Sequence, residues 1–216
     1  MIKINKGKEP LEWTAKCNTP NFTHYQPIPA LRQALLVEQG YICAYCMRQI
    51  PVKDLSEKET SKIEHIKSRS DYPDLQLDYN NMLICCPGSI DGDSHCDKSK
   101  GHQSISFSLF VPQLQQSISY SSKDGTIKSS VPTIEDELNR LLNLNNRRLK
   151  ANRLQVIEAI IAILDKKKWK KSECEQQLEV WKTKTVKQNE HEDKLGFKPY
   201  CGVVIYFLEK KLKQYA

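Results

Sequence analysis

Residues 62 to 86 read KIEHIKSRSDYPDLQLDYNNMLICC and place a carboxylate beside an imidazole, then an asparagine pair, then two cysteines. A glutamate next to a histidine, Glu64 and His65, supplies two reagents at one point of the chain: an oxygen ligand for a hard cation and a nitrogen able to take a proton from water. The cysteines belong to a wider set. Cys43 and Cys46 form a C-x-x-C knuckle, whose tight turn lets two thiolates face one tetrahedral ion, with zinc the usual occupant. One knuckle is half a site. The other half must come from downstream, from Cys86 or alternatively Cys85, together with Cys96. Cys17, Cys174 and Cys201 stand alone in other contexts and read as small buried side chains.

The elements that must position these groups follow from hydrophobic period and turn chemistry. Prolines at 10, 20, 27 and 29 predict an irregular N-terminal arm over 1–29, with little regular structure and in need of something to dock on. After Pro29, Leu31, Leu35 and Leu36 share a helical face that ends at Gly40, a C-cap residue, so this helix feeds directly into the knuckle. Residues 30–102 then form the module that holds the chemistry. Residues 103–131 are Ser/Gln-rich with alternating apolar positions and predict an extended connector, a strand pair or ordered extension around the Asp124-Gly125 turn. From Thr133, read as an N-cap with Asp136 at N3, apolar residues recur at helical spacing through Leu164 with a break near 143–146. Further helices are expected over about 171–187 and after Pro199. Residues 132–216 therefore read as a helical, basic C-terminal region.

Charge and length limit the function classes. The chain has 216 residues, 39% of them hydrophobic, and a net charge of +7. Residues 1–138 carry −2 and residues 139–216 carry +9, so the basic surface belongs to the helical region. Its lysine runs suit phosphate neutralisation or, equally, a solvated helix face. The longest apolar run, Cys201 to Leu208, is far short of the roughly 20 residues needed to span a bilayer. No membrane role is expected, and a cytoplasmic location, where eight cysteines stay reduced, favours metal ligation over disulfides.

Taken in order, the knuckle, the Glu-His pair, the asparagines, the second cysteine pair and the acid after Cys96 resemble an HNH endonuclease module with an embedded zinc. The resemblance implies an α+β fold: a ββα-metal (HNH) module, two strands and a helix around one divalent cation, carrying structural zinc and followed by a mainly α-helical body. On this likeness His65 is the general base and Glu64 a ligand of catalytic Mg²⁺ or Mn²⁺. Asn81 matches the middle asparagine, five residues before Cys86; Asn80 would pair with Cys85 by the same count. Cys86 is preferred because Pro87-Gly88 turns the chain out of the strand, whereas Cys85 continues it. The third position departs from the pattern, with Asp97 where the family shows His or Asn; a carboxylate there would join Glu64 on the cation. Lys100 follows as a further site candidate. His95, on a polar loop, reads as a phosphate contact, part of a ligand shell, or a solvated side chain.

The layout beyond the module, from the arm through "EQGYICAYC", "EHIKSRS", "NNMLICC", "HCDKSKG" and "YCGVVIYFL", is similar to the PtuB-type nuclease subunits of Septu and retron-associated anti-phage systems. That likeness implies an ABC-type ATPase partner (PtuA-like), a nucleic acid substrate that could be DNA or RNA such as tRNA, and in retron systems a reverse transcriptase with multicopy single-stranded DNA. No Walker A pattern occurs in this chain, so ATP control would come from another polypeptide. Singly, a Glu-His pair arises by chance and an Asn-Asn pair is ordinarily a turn. Their order between two halves of a metal site carries the reading, against the alternative of a catalytically silent zinc-binding module that presents a nucleic-acid or protein binding face.

Overall fold

A computed structural model describes residues 1–51, 60–90, 92–187 and 194–215. The chain is mixed α+β, with short two-stranded antiparallel sheets set among helices. Helix α2 (Pro29–Glu38) buries Leu31, Leu35 and Leu36, the predicted face, and stops where Gly40 takes φ +62 and Tyr41 N–H bonds back to the Leu36 carbonyl. A β-carbon at Gly40 would meet the Phe197 ring at 2.6 Å, so the turn needs glycine for both its conformation and its space.

The pair that carries the Glu-His dipeptide is β1 (Lys62–His65) against β2 (Met82–Cys85), in the register Ile63↔Ile84 and Glu64↔Leu83. A two-stranded sheet leaves outer edges to be satisfied. On β2 this falls to Gln39, directly after α2: its side-chain amide accepts from Ile84 N–H at 2.8 Å and donates to the Ile84 carbonyl at 2.8 Å, which also accepts from Ala44 N–H. The knuckle is thereby fixed to the strand. After β2, a small hairpin, β3 (Ser89–Ile90) and β4 (Asp93–Ser94), leads to the single-turn helix α3 (Asp97–Lys100). From β1 to α3 the strands run β1, β2, β3, β4, and the helix that closes the run is a single turn.

The N-terminal arm differs from expectation. Between Pro10 and Pro20 it forms helix α1 (Leu11–Cys17), and it docks on its own chain: Ile4 N–H bonds to the Leu109 carbonyl, and Met1, Ile4 and Trp13 are buried. The Trp13 indole donates to the Leu77 carbonyl at 3.1 Å and stacks edge-on with Phe22 and Tyr25. The four prolines restrict the chain at their own positions and leave room for two turns of helix between them.

The 103–131 segment is ordered into α4 (Gln113–Ser117) and the hairpin β5 (Ile118–Tyr120) with β6 (Ile127–Ser129), paired around the Asp124-Gly125 turn as expected. Helix α5 (Pro132–Asp136) begins with Pro132 at its first position and Val131 as N-cap, so Thr133 is inside the helix and is not its cap. A π-helical stretch, Glu137–Leu141, follows, and the expected break at 143–146 ends with Asn146 capping α6 (Arg147–Lys166) by accepting from Leu149 N–H. Buried Arg153 on α6 donates to the carbonyls of Gly125 and Leu144, tying hairpin, break and helix together. Helix α7 (Lys171–Lys182) ends short of Lys187, because Thr185–Lys187 pairs as β7 with β8 (Lys194–Gly196). Helix α8 (Cys201–Leu212) packs Gly202 against Met47. Among the described residues no helix is long and apolar enough to cross a membrane.

Because Trp13 is fully buried, Trp13→Ala is expected to lower unfolding stability by about 3–5 kcal/mol. Chemical denaturation measures it, and a loss below about 1 kcal/mol would show that the arm lies outside the cooperative core.

Candidate functional site

Four of the cysteines meet. The Sγ atoms of Cys43, Cys46, Cys86 and Cys96 all lie within 4.8 Å of one another, and all four residues are buried. The Cys43–Cys96 and Cys46–Cys86 sulfur pairs are each 3.8 Å apart. A tetrahedral zinc–thiolate site with bonds of about 2.3 Å has sulfur–sulfur edges of about 3.8 Å, so the set fits a metal such as zinc. The knuckle closes through Met47 N–H to the Cys43 carbonyl, with Met47 at φ +60, and Cys96 is held by its N–H to the Leu142 carbonyl of the break before α6. The preference for Cys86 over Cys85 agrees with this cluster. Cys85 is buried alongside it, and burial pushes its thiol up. Burial opposes ionisation of Cys43 as well, yet hydrogen bonds from the surrounding thiols outweigh it and hold Cys43 well below the ordinary thiol range.

His95 is fully buried, which overturns the solvated reading. Its Nδ1 sits 3.1 Å from Cys96 Sγ and 3.9 Å from Cys86 Sγ, beside the sulfur cluster.

The second constellation lines an open cavity of about 660 Å³ whose walls include Glu64, His65, Asp97 and Lys100. Asp97 and Lys100 are three residues apart on α3, hence on one side of its single turn. Lys100, buried, donates to Glu64 Oε1 at 2.9 Å and to the His65 carbonyl at 3.1 Å, so it neutralises the acid and holds the strand end. The Tyr45 hydroxyl, from the knuckle, donates to the same Glu64 oxygen at 2.9 Å. Burial raises the Glu64 carboxyl to about 8; a hydrogen bond with Asp97 adds to this and Lys100 opposes it. Two carboxylates facing each other, with the Glu64 carboxyl lifted, form a donor pair that a divalent cation would relieve.

Successive strand residues point to opposite faces, yet both Glu64 and His65 border this cavity, the strand ending at the histidine. The His65 ring is backed by Tyr25, edge-on at 4.6 Å, and its Nε2 is 3.0 Å from the Gln76 carbonyl. A carbonyl only accepts, so Nε2 carries the proton and Nδ1 keeps its lone pair. Burial lowers the ring to about 4, against the pull of the Gln76 carbonyl, which leaves it neutral at neutral pH. Asn81 is buried away from the cavity: its side chain accepts from Lys67 N–H and donates to the Lys67 and Leu75 carbonyls, tying the loop that delivers Gln76. Asn80 is exposed and outside both constellations.

Sequence reasoning missed several members. Arg32, Lys62, Arg69 and Lys98 also line the cavity and surround the acids with positive charge. Arg69 and Lys98 belong to the "KSRS" and "CDKSK" runs, whereas Tyr25 and Tyr45 carry no local signal of their contacts. No protein-family model matches this chain and no curated protein matches it.

Replacing a ligand should remove the metal and the stability it confers. Cys86→Ser is expected to lower bound zinc and the unfolding midpoint, while Cys85→Ser keeps zinc content unchanged. Elemental analysis with thermal unfolding checks both; zinc loss in Cys85→Ser alone would reverse the assignment.

Proposed function

We propose that the chain is a metal-dependent HNH-type endonuclease that hydrolyses phosphodiester bonds of DNA or RNA. The observation that carries this reading is the cavity in which a neutral imidazole, with Nε2 committed to a backbone carbonyl, opens beside two facing carboxylates and a cationic wall. Arg69 and Lys98 would receive the phosphate and set its position. His65 Nδ1 takes a proton from water as the water oxygen attacks phosphorus; the bond to the leaving oxygen breaks, and that oxygen is protonated from solvent. Glu64 and Asp97 would hold Mg²⁺ or Mn²⁺, whose chemistry is to polarise the phosphate and stabilise the developing oxyanion. Lys100 holds Glu64 and the end of β1 in place, and Asn81 holds the loop that fixes the His65 tautomer.

The likeness of the wider layout to PtuB-type subunits supports a further part of the proposal: an effector role in an anti-phage complex with an ABC-type ATPase, alone or with a retron's reverse transcriptase and DNA. Hydrolysis at the phosphate needs no base contact, so this reading is neutral between DNA and tRNA or other RNA.

The test is cleavage of labelled DNA and RNA by zinc-loaded protein with added Mg²⁺ or Mn²⁺. His65→Ala should cut about 10²- to 10⁴-fold more slowly, the range for loss of a general base, with zinc and fold retained. Asp97→Ala should need more cation and be partly rescued by Mn²⁺, which rescues His65→Ala little. Intact substrates with the unaltered protein under every cation would instead establish a catalytically silent zinc-binding module.

A further inference from the structure

The two constellations are joined by one side chain. Tyr45 is the residue before Cys46, inside the turn that brings Cys43 and Cys46 together, and it is 1% exposed. Its hydroxyl reaches Glu64 Oε1 at 2.9 Å, across the β1–β2 pair from the knuckle. The same oxygen receives the Lys100 ammonium at 2.9 Å. Two buried donors on one oxygen fix the carboxylate's rotation, which a carboxylate on a flexible side chain does not have by itself. They come from two different chain segments of the cysteine cluster: Tyr45 precedes Cys46, and Lys100 lies one turn beyond Cys96 on α3. Both donors are therefore placed by backbone whose path is set by thiols of the cluster.

We propose that Tyr45 is a positioning residue that orients Glu64 for its divalent cation and makes that orientation conditional on the four-cysteine cluster. This rests on the assignment of Glu64 as a cation ligand. With the cluster closed, the knuckle turn presents the Tyr45 hydroxyl to Glu64 and the carboxylate is preset. With the cluster open, the turn that carries Tyr45 loses its closure, and Glu64 loses one of its two fixed donors. The metal-binding state of the cysteines thus reaches the hydrolytic cavity in part through the Tyr45 O–H···O bond to Glu64.

Tyr45→Phe tests this, since it removes one oxygen and keeps the buried ring. The probe is Mn²⁺ added to zinc-loaded protein, followed by electron paramagnetic resonance of the free ion. Tyr45→Phe is expected to keep its zinc and its unfolding midpoint while its Mn²⁺ dissociation constant rises about 10- to 100-fold, the usual cost of losing a hydrogen bond that orients a ligand. In cleavage assays the Mn²⁺ concentration for half-maximal rate should rise in parallel, and saturating Mn²⁺ should restore turnover. Mn²⁺ binding by Tyr45→Phe as tight as in the unaltered protein overturns the proposal. Glu64→Gln separates the two levels: if it binds Mn²⁺ as tightly as the unaltered protein, the cation is not at Glu64 and the hydrolytic reading itself fails.

Discussion

Four cysteine sulfurs packed within 4.8 Å of one another in the interior are held against strong opposition unless positive charge joins them. Burial disfavours every thiolate; hydrogen bonds from the other thiols still hold Cys43 low, whereas burial, and then Cys43, push Cys46 and Cys96 well up. A divalent cation would remove that conflict and convert the cluster into a joint between three chain segments. The neighbouring elements depend on this joint. The knuckle presents Tyr45, β2 leads into Cys86 and Cys96 opens α3, so the placement of Glu64, Asp97 and Lys100 is inherited from the cluster. The C-terminal body supports it from behind through the Leu142 carbonyl to Cys96 and through Asn143 to Ser94.

The two centres place opposite electrostatic demands on neighbouring space. The sulfur cluster is enclosed, with His95 as a polar neighbour at 3.1 Å from a sulfur. The cavity is open and mixed in sign, with its Glu64 carboxyl raised by burial and its imidazole kept neutral by burial. A neutral histidine beside a protonatable acid and several cations is an arrangement suited to accepting a proton and holding a phosphate.

How much of this is legible in the sequence depends on the range of each interaction. The knuckle and the choice of Cys86 rest on local spacing and on the Pro87-Gly88 turn, and both agree with the cluster. Helix α2, the break before α6 and the Asp-Gly hairpin are legible because period and turn chemistry act over a few residues. The hidden features are tertiary. Nothing in the "CAYC" run marks Tyr45 as a donor to a residue nineteen positions away, and nothing near His65 marks the Gln76 carbonyl. The prolines of the arm hide its helix, and β7 occupies residues expected to be helical although Thr183, Thr185 and Val186 are branched at Cβ and favour strand.

Gln39 lies against the outer edge of β2. By pairing with both main-chain groups of Ile84, its amide occupies the place of a neighbouring strand with a single side chain. An exposed strand edge is a template on which another polypeptide can add by main-chain pairing. The β2 edge of the sheet is closed to such addition at Ile84, because an incoming strand would first have to evict a buried amide and the knuckle residue Ala44. Recruitment of another chain along β2 must therefore proceed through side chains and surface shape, not through main-chain pairing at Ile84.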